Sequence, residues 1–227
     1  MDLKAILNYL SDLEKNNERE WYHAHKTEYK NADTEFKGLL QELILNIGKF
    51  DESILHNSPE NLTFKLVRDT RFSHDKSPYN PAFRAHIGAK GKLPVPVGYY
   101  IMIKSGNRSF LGGGLFADMF KDATRMVRDY ISLHPSEFHK IISADDFADF
   151  FKVQGIALKN VPSGYDKEQP MAEFIKNKSW YLEYPIKDTE LYNAENFISM
   201  ASDIFKRMKP FNDYLNNALA EFTMPER

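Results

Sequence analysis

The spacing of apolar residues changes along the chain, and this change restricts the possible folds more than any other feature. In 3–13 and again in 36–47, apolar residues recur at the spacing of one buried helix face. In 63–69, 82–88 and 98–104 they alternate with polar residues, which is typical of strands with one face buried. The chain is therefore expected to begin with helices and to continue into a sheet.

The links between the predicted strands are short. The Ser-Gly-Asn turn at 105–107 leads directly from one strand into the next, which is typical of an antiparallel meander and not of alternating βαβ units. Helical spacing returns at 118–133 and, on either side of Pro210, at 194–208 and 211–222. The sequence predicts an α+β fold with a helical N-terminal region, a central and mostly antiparallel sheet, and further helices at the C-terminus.

The size and composition are those of an ordinary globular protein. The chain has 227 residues, of which 42% are hydrophobic and 27% are charged, and this is enough for a substantial core. It contains no internal repeat, low-complexity tract or convincing linker. We therefore expect a single domain that spans residues 1–227.

The composition also argues against several kinds of chemistry. The absence of Cys excludes disulfides, thiol nucleophiles, iron–sulfur clusters and Cys-based zinc sites. A net charge of −2 argues against nucleic acid as the main partner, which would require a strong basic field. His23 and His25 would point to different faces of a helix, so they do not indicate a metal site. We expect neither a metal ion nor a cofactor.

The chain shows no sign of export or of a membrane segment. The N-terminal stretch lacks a cationic region followed by an apolar run, and its spacing is instead that of an amphipathic helix. The longest apolar stretch, 95–103, is interrupted by Pro96 and Gly98 and is too short to cross a bilayer. A cytoplasmic location without membrane contact is the expectation.

The segment 68–79, RDTRFSHDKSPY, is the densest polar stretch in the chain. Its first arginine ends a predicted strand, and two polar side chains alternate on the following strand, where cross-strand neighbours come within reach. The candidate ligand-binding residues are Arg68, Arg71, Lys76 and Arg84. The candidate catalytic residues are Asp69, Asp75, Tyr79 and His86.

These residue types favour an anionic ligand. Guanidinium groups bind phosphate or carboxylate through paired hydrogen bonds, and lysine adds a point charge. The alternative is structural, because Arg68, Asp69, Arg71 and Asp75 could form an ion-pair network that only fixes the loop. The residue types alone do not decide between the two interpretations.

The glycines Gly112, Gly113 and Gly114 form a second candidate for ligand binding. They precede the helix predicted at 118–133, where backbone N–H groups and the helix N-terminus would attract an anion. Neither GxxxxGK[ST] nor GxGxxG is present, so the nucleotide-binding fingerprints are not met. A plain tight turn or bulge is the alternative.

Several strings of the sequence resemble one family. They lie at Asn16–Tyr29 (NNEREWYHAHKTEY), Arg68–Tyr79, Tyr99–Ile103, Gly112–Gly114, and Lys159–Tyr165 with Lys178–Trp180. Together they resemble an uncharacterised domain-of-unknown-function family found in bacteria, fungi and plants, with NNREWF…HK…Y and RDxRFSxDKxPY motifs. The resemblance spans nearly the whole chain but implies no activity.

Two positions depart from the pattern of that family. Lys65 stands where the family has arginine, and Asn80 stands where a lysine is common. The first change keeps the charge but loses the planar fork of donors, and the second removes a cation. If these cations hold an anion in the family, this chain should hold it less strongly.

Three functional hypotheses follow. The first is a small-molecule-binding protein or enzyme that acts on a phosphate- or carboxylate-bearing ligand at a basic cleft on the sheet edge. The second is an interaction module for a protein or a single nucleic-acid strand, since aromatic residues stand beside cations. The third is a purely structural ion-pair network with no catalytic site.

Overall fold

The structure is a computed structural model that describes residues 1–116 and 120–225. Its α-helices are α1 (Leu3–Lys15), α2 (Arg19–Ala24), α3 (Lys26–Ile47), α4 (Pro59–Leu62), α5 (Lys121–Leu133), α6 (Pro135–Ile142), α7 (Asp145–Ala148), α8 (Ala172–Ile175) and α9 (Ala194–Ala218). Its strands are β1 (Phe83–Ile87), β2 (Tyr99–Ile103), β3 (Ser109–Leu115) and β4 (Trp180–Ile186), and 3₁₀ turns cover Glu52–Ile54 and Asp188–Tyr192.

The four strands form one antiparallel sheet in the order β1-β2-β3-β4. The first three are joined as a meander, whereas β4 comes from much later in the chain and pairs along the whole of β3. This arrangement confirms the predicted α+β fold with helices before and after a central antiparallel sheet.

One face of the sheet packs against the long helices. Alternate residues of β1, at positions 83, 85 and 87, are buried on this face, as are those of β2 at 99, 101 and 103. Helix α9 lies on β3, and α3 packs against both α9 and α1. Each fully buried large apolar side chain stabilises the fold by about 1.5–3 kcal/mol, so this layer is the main source of stability.

Helix α9 approaches β3 very closely. A Cβ atom on Gly113 would lie 3.0 Å from the Sδ atom of Met208 and 3.1 Å from Oδ1 of Asn212. The Nδ2 group of Asn212 donates a 3.0 Å hydrogen bond to the carbonyl of Gly98, just before β2. A glycine is needed at position 113 because the helix occupies the space that a side chain would take.

Two predicted elements differ from the structure. The segment 63–69 is not a strand, because with the described residues it forms just two isolated bridges, between Thr63 and Ala85 and between Val67 and Tyr79. The two predicted closing helices are one continuous helix, with Pro210 inside α9. Pro210 is on the exposed side of that helix, and the buried contacts on the opposite side outweigh the lost backbone hydrogen bond.

No helix in the described residues is both long enough and apolar enough to cross a membrane.

The N-terminal motif and the 68–79 segment meet at a pair of hydrogen bonds. The side-chain amide of Asn17 donates to the carbonyl of Tyr79 at 2.9 Å and accepts from its backbone N–H at 3.0 Å. The ring of Tyr79 stacks on that of Tyr22 at a centroid distance of 4.3 Å. Asn17 thus fixes the end of the polar segment against α2.

We predict that Asn17→Ala destabilises the protein by about 1–3 kcal/mol, because it leaves both backbone groups of Tyr79 without these partners. The neighbouring variant Asn16→Ala is the control, since that side chain is exposed and bonds only within its own turn. Urea unfolding of both variants measures the difference. Equal losses in the two variants would contradict the role given to Asn17.

Candidate functional site

The arginines of the 68–79 segment are paired with acids of the same segment. Arg68 forms an ion pair with Asp75 and donates a 3.2 Å hydrogen bond to the hydroxyl of Ser73. Hydrogen bonds from Ser77 and from the Arg68 guanidinium hold the pKa of Asp75 well below its usual range. The positive charge of Arg68 is therefore largely balanced inside the segment.

Arg71 is likewise paired with an acid of its own segment, but its side chain is more exposed than that of Arg68. Its guanidinium contacts both carboxylate oxygens of Asp69, the shortest distance being 2.6 Å, and this contact lowers the pKa of Asp69. The side chain of Arg71 is 78% exposed, so it projects into solvent and does not face an enclosed space. Lys76 donates to the carbonyl of Thr70 at 3.0 Å. These contacts are those of a loop held in one conformation by its own charges.

Tyr79 belongs to the core. Its side chain is buried, and its backbone is held by Asn17 as described above. The structure therefore separates Tyr79 from the exposed ends of Arg71 and Lys76, with which the sequence grouped it.

The three glycines lie within β3 and not in a turn before a helix. The helix predicted at 118–133 begins at Lys121 in the described part of the chain, and its predicted start at Asp118 lies outside the described residues. Gly112 and Gly113 face opposite sides of the sheet. The placement of these glycines at a helix N-terminus is thus wrong, because close packing on both faces of β3 accounts for them.

The second face of the sheet brings the other candidate residues together. Arg84 and His86 point to this face, opposite the one that packs on α3 and α9. The strand pairing places His86 beside Tyr100, Tyr100 beside Gly112, and Gly112 beside Glu183. These four residues thus form a row of cross-strand neighbours from β1 to β4, in which Gly112 contributes no side chain.

This row lies under a cavity of about 240 Å³, which we call the aromatic hollow. It is lined by Phe64, His86, Lys92, Pro94, Tyr100, Phe110, Gly114, Phe116 and Glu183. A Cβ atom on Gly112 would come within 2.8 Å of the Phe116 ring, so the missing side chain leaves room for that ring over the sheet. The hollow therefore lies over the second face of the sheet and extends to the edge strand β1.

Aromatic rings form the walls of the hollow. Tyr100 stacks on Phe110 with ring centroids 5.6 Å apart, and Phe116 lies 5.5 Å from Tyr100. Phe116 also stacks on Tyr181 at 4.6 Å, and Phe64 lies 6.4 Å from Tyr100. Such a set of flat apolar surfaces is typical of pockets that hold a planar ligand.

His86 provides a buried polar group at the hollow. Its side chain is 7% exposed, and its Nδ1 atom has no hydrogen-bond partner among the described residues. Burial lowers the pKa of His86 from 6.5 to about 4, although backbone carbonyls of Gly91 and Leu93 oppose the shift. The imidazole is therefore neutral at pH 7 and can donate one hydrogen bond and accept another.

Arg84 provides positive charge at the border of the hollow. Its Nη2 group donates to the carbonyl of Lys65 at 3.2 Å, and its guanidinium lies over the ring of Phe64 at 5.6 Å. Its buried Nε atom has no partner in the described part of the chain. Burial raises the pKa of Tyr100, and the charge of Arg84 opposes this shift. Unlike Arg68 and Arg71, Arg84 has no ion pair with an acid of its own segment within the described residues.

The sequence named some of the residues around the hollow and missed others. It grouped Arg84 and His86 with the 68–79 segment and gave Gly112 and Gly114 as a separate candidate, whereas the structure brings all four to the hollow or its border. It missed the rings of Phe64, Phe110 and Phe116, and the charges of Lys92 and Glu183. Strand alternation could have assigned Phe110 and Glu183 to this face, whereas Phe64, Lys92 and Phe116 come from loops whose paths the sequence does not show.

The fold and the site together define a class: an α+β protein whose antiparallel sheet packs on helices with one face and carries a ligand-sized hollow on the other. The chain belongs to the conserved hypothetical protein family DUF2461, whose sequence model matches residues 5–214. This match confirms the resemblance to a family of unknown function. No curated protein and no solved structure matches the chain significantly.

We predict that His86 makes the protein less stable in mild acid. The unfolded chain binds a proton at His86 near pH 6.5, whereas the folded protein does so only near pH 4. Stability should therefore fall as the pH drops between these values, by up to about 3 kcal/mol from this residue. Urea unfolding across that range should show a shallower fall for His86→Gln, and parallel curves for the two proteins would contradict the burial of a neutral imidazole.

Proposed function

We propose that this protein binds a small planar molecule with an anionic group in the aromatic hollow. The observation that carries the proposal is a cavity walled by rings and lined by the buried imidazole of His86, with the buried Nε of Arg84 on the same sheet face and without a partner in the described residues. Buried polar groups in folded proteins nearly always have a partner, so the state of this Nε atom favours a missing ligand or water.

The charges around the hollow suggest how such a ligand lies. Arg84 and Lys92 supply positive charge near β1, which is one edge strand of the sheet. Glu183 lies on β4, which is the other edge strand. Three strand spacings of about 4.8 Å separate His86 from Glu183, or about 14 Å between Cα atoms, so these two residues do not act on each other directly. A ligand with an anionic group towards Arg84 and an N–H or hydroxyl group towards Glu183 would complement both ends.

The size of the cavity restricts the ligand further. A volume of about 240 Å³ is slightly below the usual range for small-molecule sites and suits one or two fused rings with small substituents. The rings of Tyr100 and Phe116 would supply stacking, and the polar groups would determine orientation. This proposal keeps the anionic ligand predicted from the sequence and locates it over the second face of the sheet, next to the edge strand β1.

The paired variants Arg84→Gln and Arg71→Gln separate the two possible locations of the site. With phenyl phosphate as the probe, we expect Arg84→Gln to weaken binding about tenfold or more, because one charge-assisted hydrogen bond is lost. Arg71→Gln should leave binding unchanged, since that guanidinium is occupied by Asp69. Isothermal titration of both variants and the unmodified protein makes the comparison.

If instead Arg71→Gln weakened binding and Arg84→Gln had no effect, the binding site would lie in the 68–79 segment. Inorganic phosphate alone should bind much more weakly than phenyl phosphate, because it does not use the rings. Equal binding of the two probes would contradict the role of the aromatic walls.

A second function is favoured by the exposure of Phe72. This ring is 94% exposed, and the guanidinium of Arg71 lies 5.8 Å from its centroid. The loop is held in one conformation by its own ion pairs, and it presents an exposed ring beside a cation. Such an arrangement would suit stacking on an unpaired base, as in the interaction-module hypothesis.

For this second function, we predict that Phe72→Ala lowers the affinity for oligothymidylate about tenfold, since stacking contributes roughly 1–3 kcal/mol per base. Leu133→Ala is the matched control, because that side chain is also large, apolar and exposed. Fluorescence anisotropy at two salt concentrations measures both effects. Absent binding, or equal loss in the two variants, would remove this function.

A further inference from the structure

A second cavity lies among the first three helices, and it shares no lining residue with the aromatic hollow. It has a volume of about 270 Å³ and is bounded by α1, α2 and α3, and we call it the N-terminal groove. The lining residues that matter here are Ala5, Tyr9, Asp12, Trp21, His25 and Glu28. Trp21 and His25 belong to the first family-like motif, and the aromatic hollow uses neither of them.

One residue that lines this groove has a buried hydroxyl without a partner among the described residues. Tyr9 is 5% exposed, and its hydroxyl has no hydrogen-bond partner among the described residues. The ring of Tyr9 has aromatic neighbours, with the ring centroids of Trp21 and Tyr29 at 6.1 Å and 6.0 Å. An unpaired buried hydroxyl is costly, so this lining residue carries a polar atom that the described part of the fold does not satisfy.

The other polar side chains of the groove are one histidine, two carboxylates, and the carboxamides of Asn8 and Asn31, which can donate as well as accept. The Nδ1 atom of His25 lies 2.8 Å from the carbonyl of Trp21, and because a carbonyl can only accept, Nδ1 carries the proton. In the neutral ring Nε2 is then an acceptor. Asp12 and Glu28 add carboxylates from α1 and α3, and in the described part of the chain no Lys or Arg lines the groove.

Apolar surface lies beside these acceptors. The ring of Trp21 stacks on that of His25 with centroids 4.0 Å apart, which holds both in place. Ala5 leaves space on the side of α1. Indole rings attract cations, and carboxylates next to an aromatic wall are the usual surroundings of a bound ammonium group.

We propose that the N-terminal groove binds a small organic cation, namely an alkylammonium group with an apolar body. The ammonium group is held by Asp12 and Glu28 and donates a hydrogen bond to the hydroxyl of Tyr9. The alkyl body lies against Trp21. A metal ion does not fit as well, because the described residues contain no cluster of three or more His, Asp or Glu that could hold one.

The first test compares three probes of the same length: hexylammonium, hexanol and hexanoate. Titrations at low ionic strength, followed by the indole N–H signal of Trp21 in NMR spectra, should show hexylammonium binding at least about fivefold more tightly than hexanol, and no hexanoate binding. Added salt should reduce this preference. Equal binding of the three probes, or no hexylammonium binding up to about 10 mM, would overturn the proposal.

The second test uses variants of the protein. Glu28→Gln should weaken hexylammonium binding severalfold, whereas Glu42→Gln should not, because Glu42 is exposed on the same helix about 21 Å away. Tyr9→Phe should also weaken binding while leaving the melting temperature unchanged or higher, since it removes an unpaired buried group. A lower melting temperature with unchanged binding would show that the hydroxyl is structural, and would overturn its assignment to the ligand.

Discussion

The close packing of α9 on β3 decides which face of the sheet the helices cover and which face stays open. Because Gly113 has no side chain, the helix and the strand lie so close together that Met208 and Asn212 occupy the space where a Cβ atom would be. All the long helices then cover one face of the sheet, together with the core. The second face remains half-exposed, and short loops carrying Phe64, Lys92 and Phe116 build the aromatic hollow over it.

Electrostatic balance explains why the most polar segment of the chain is not the best candidate site. In 68–79 each arginine has an acid within a few residues, so local ion pairs form without any ligand. Arg84 comes from a strand whose neighbouring positions are apolar, and among the described residues it meets a backbone carbonyl, an aromatic ring and Tyr100 but no acid in an ion pair. The density of charge in a sequence is therefore a weaker guide to binding than the absence of an internal partner.

Much of the fold could be predicted from the sequence, and less of the site. The alternation of apolar and polar residues predicts β1 and β2, and apolar residues at helical spacing predict α1 and α3. Both patterns arise because burial of one face makes apolar residues recur at the period of the element. The segment 63–69 alternates equally well but forms only bridges, since pairing depends on distant residues. The glycines of β3 were misplaced for the same reason: the rings and helix that require them, Phe116 and α9, come from other parts of the chain.

We infer that the second face of the sheet holds a ligand at Arg84 and His86. Crystals of the protein soaked with phenyl phosphate would show where the ligand binds. We expect density in the aromatic hollow, with the phosphate near Arg84 and the ring between Tyr100 and Phe116. Phosphate bound at Arg71, with the hollow empty or closed by the surrounding rings, would contradict it.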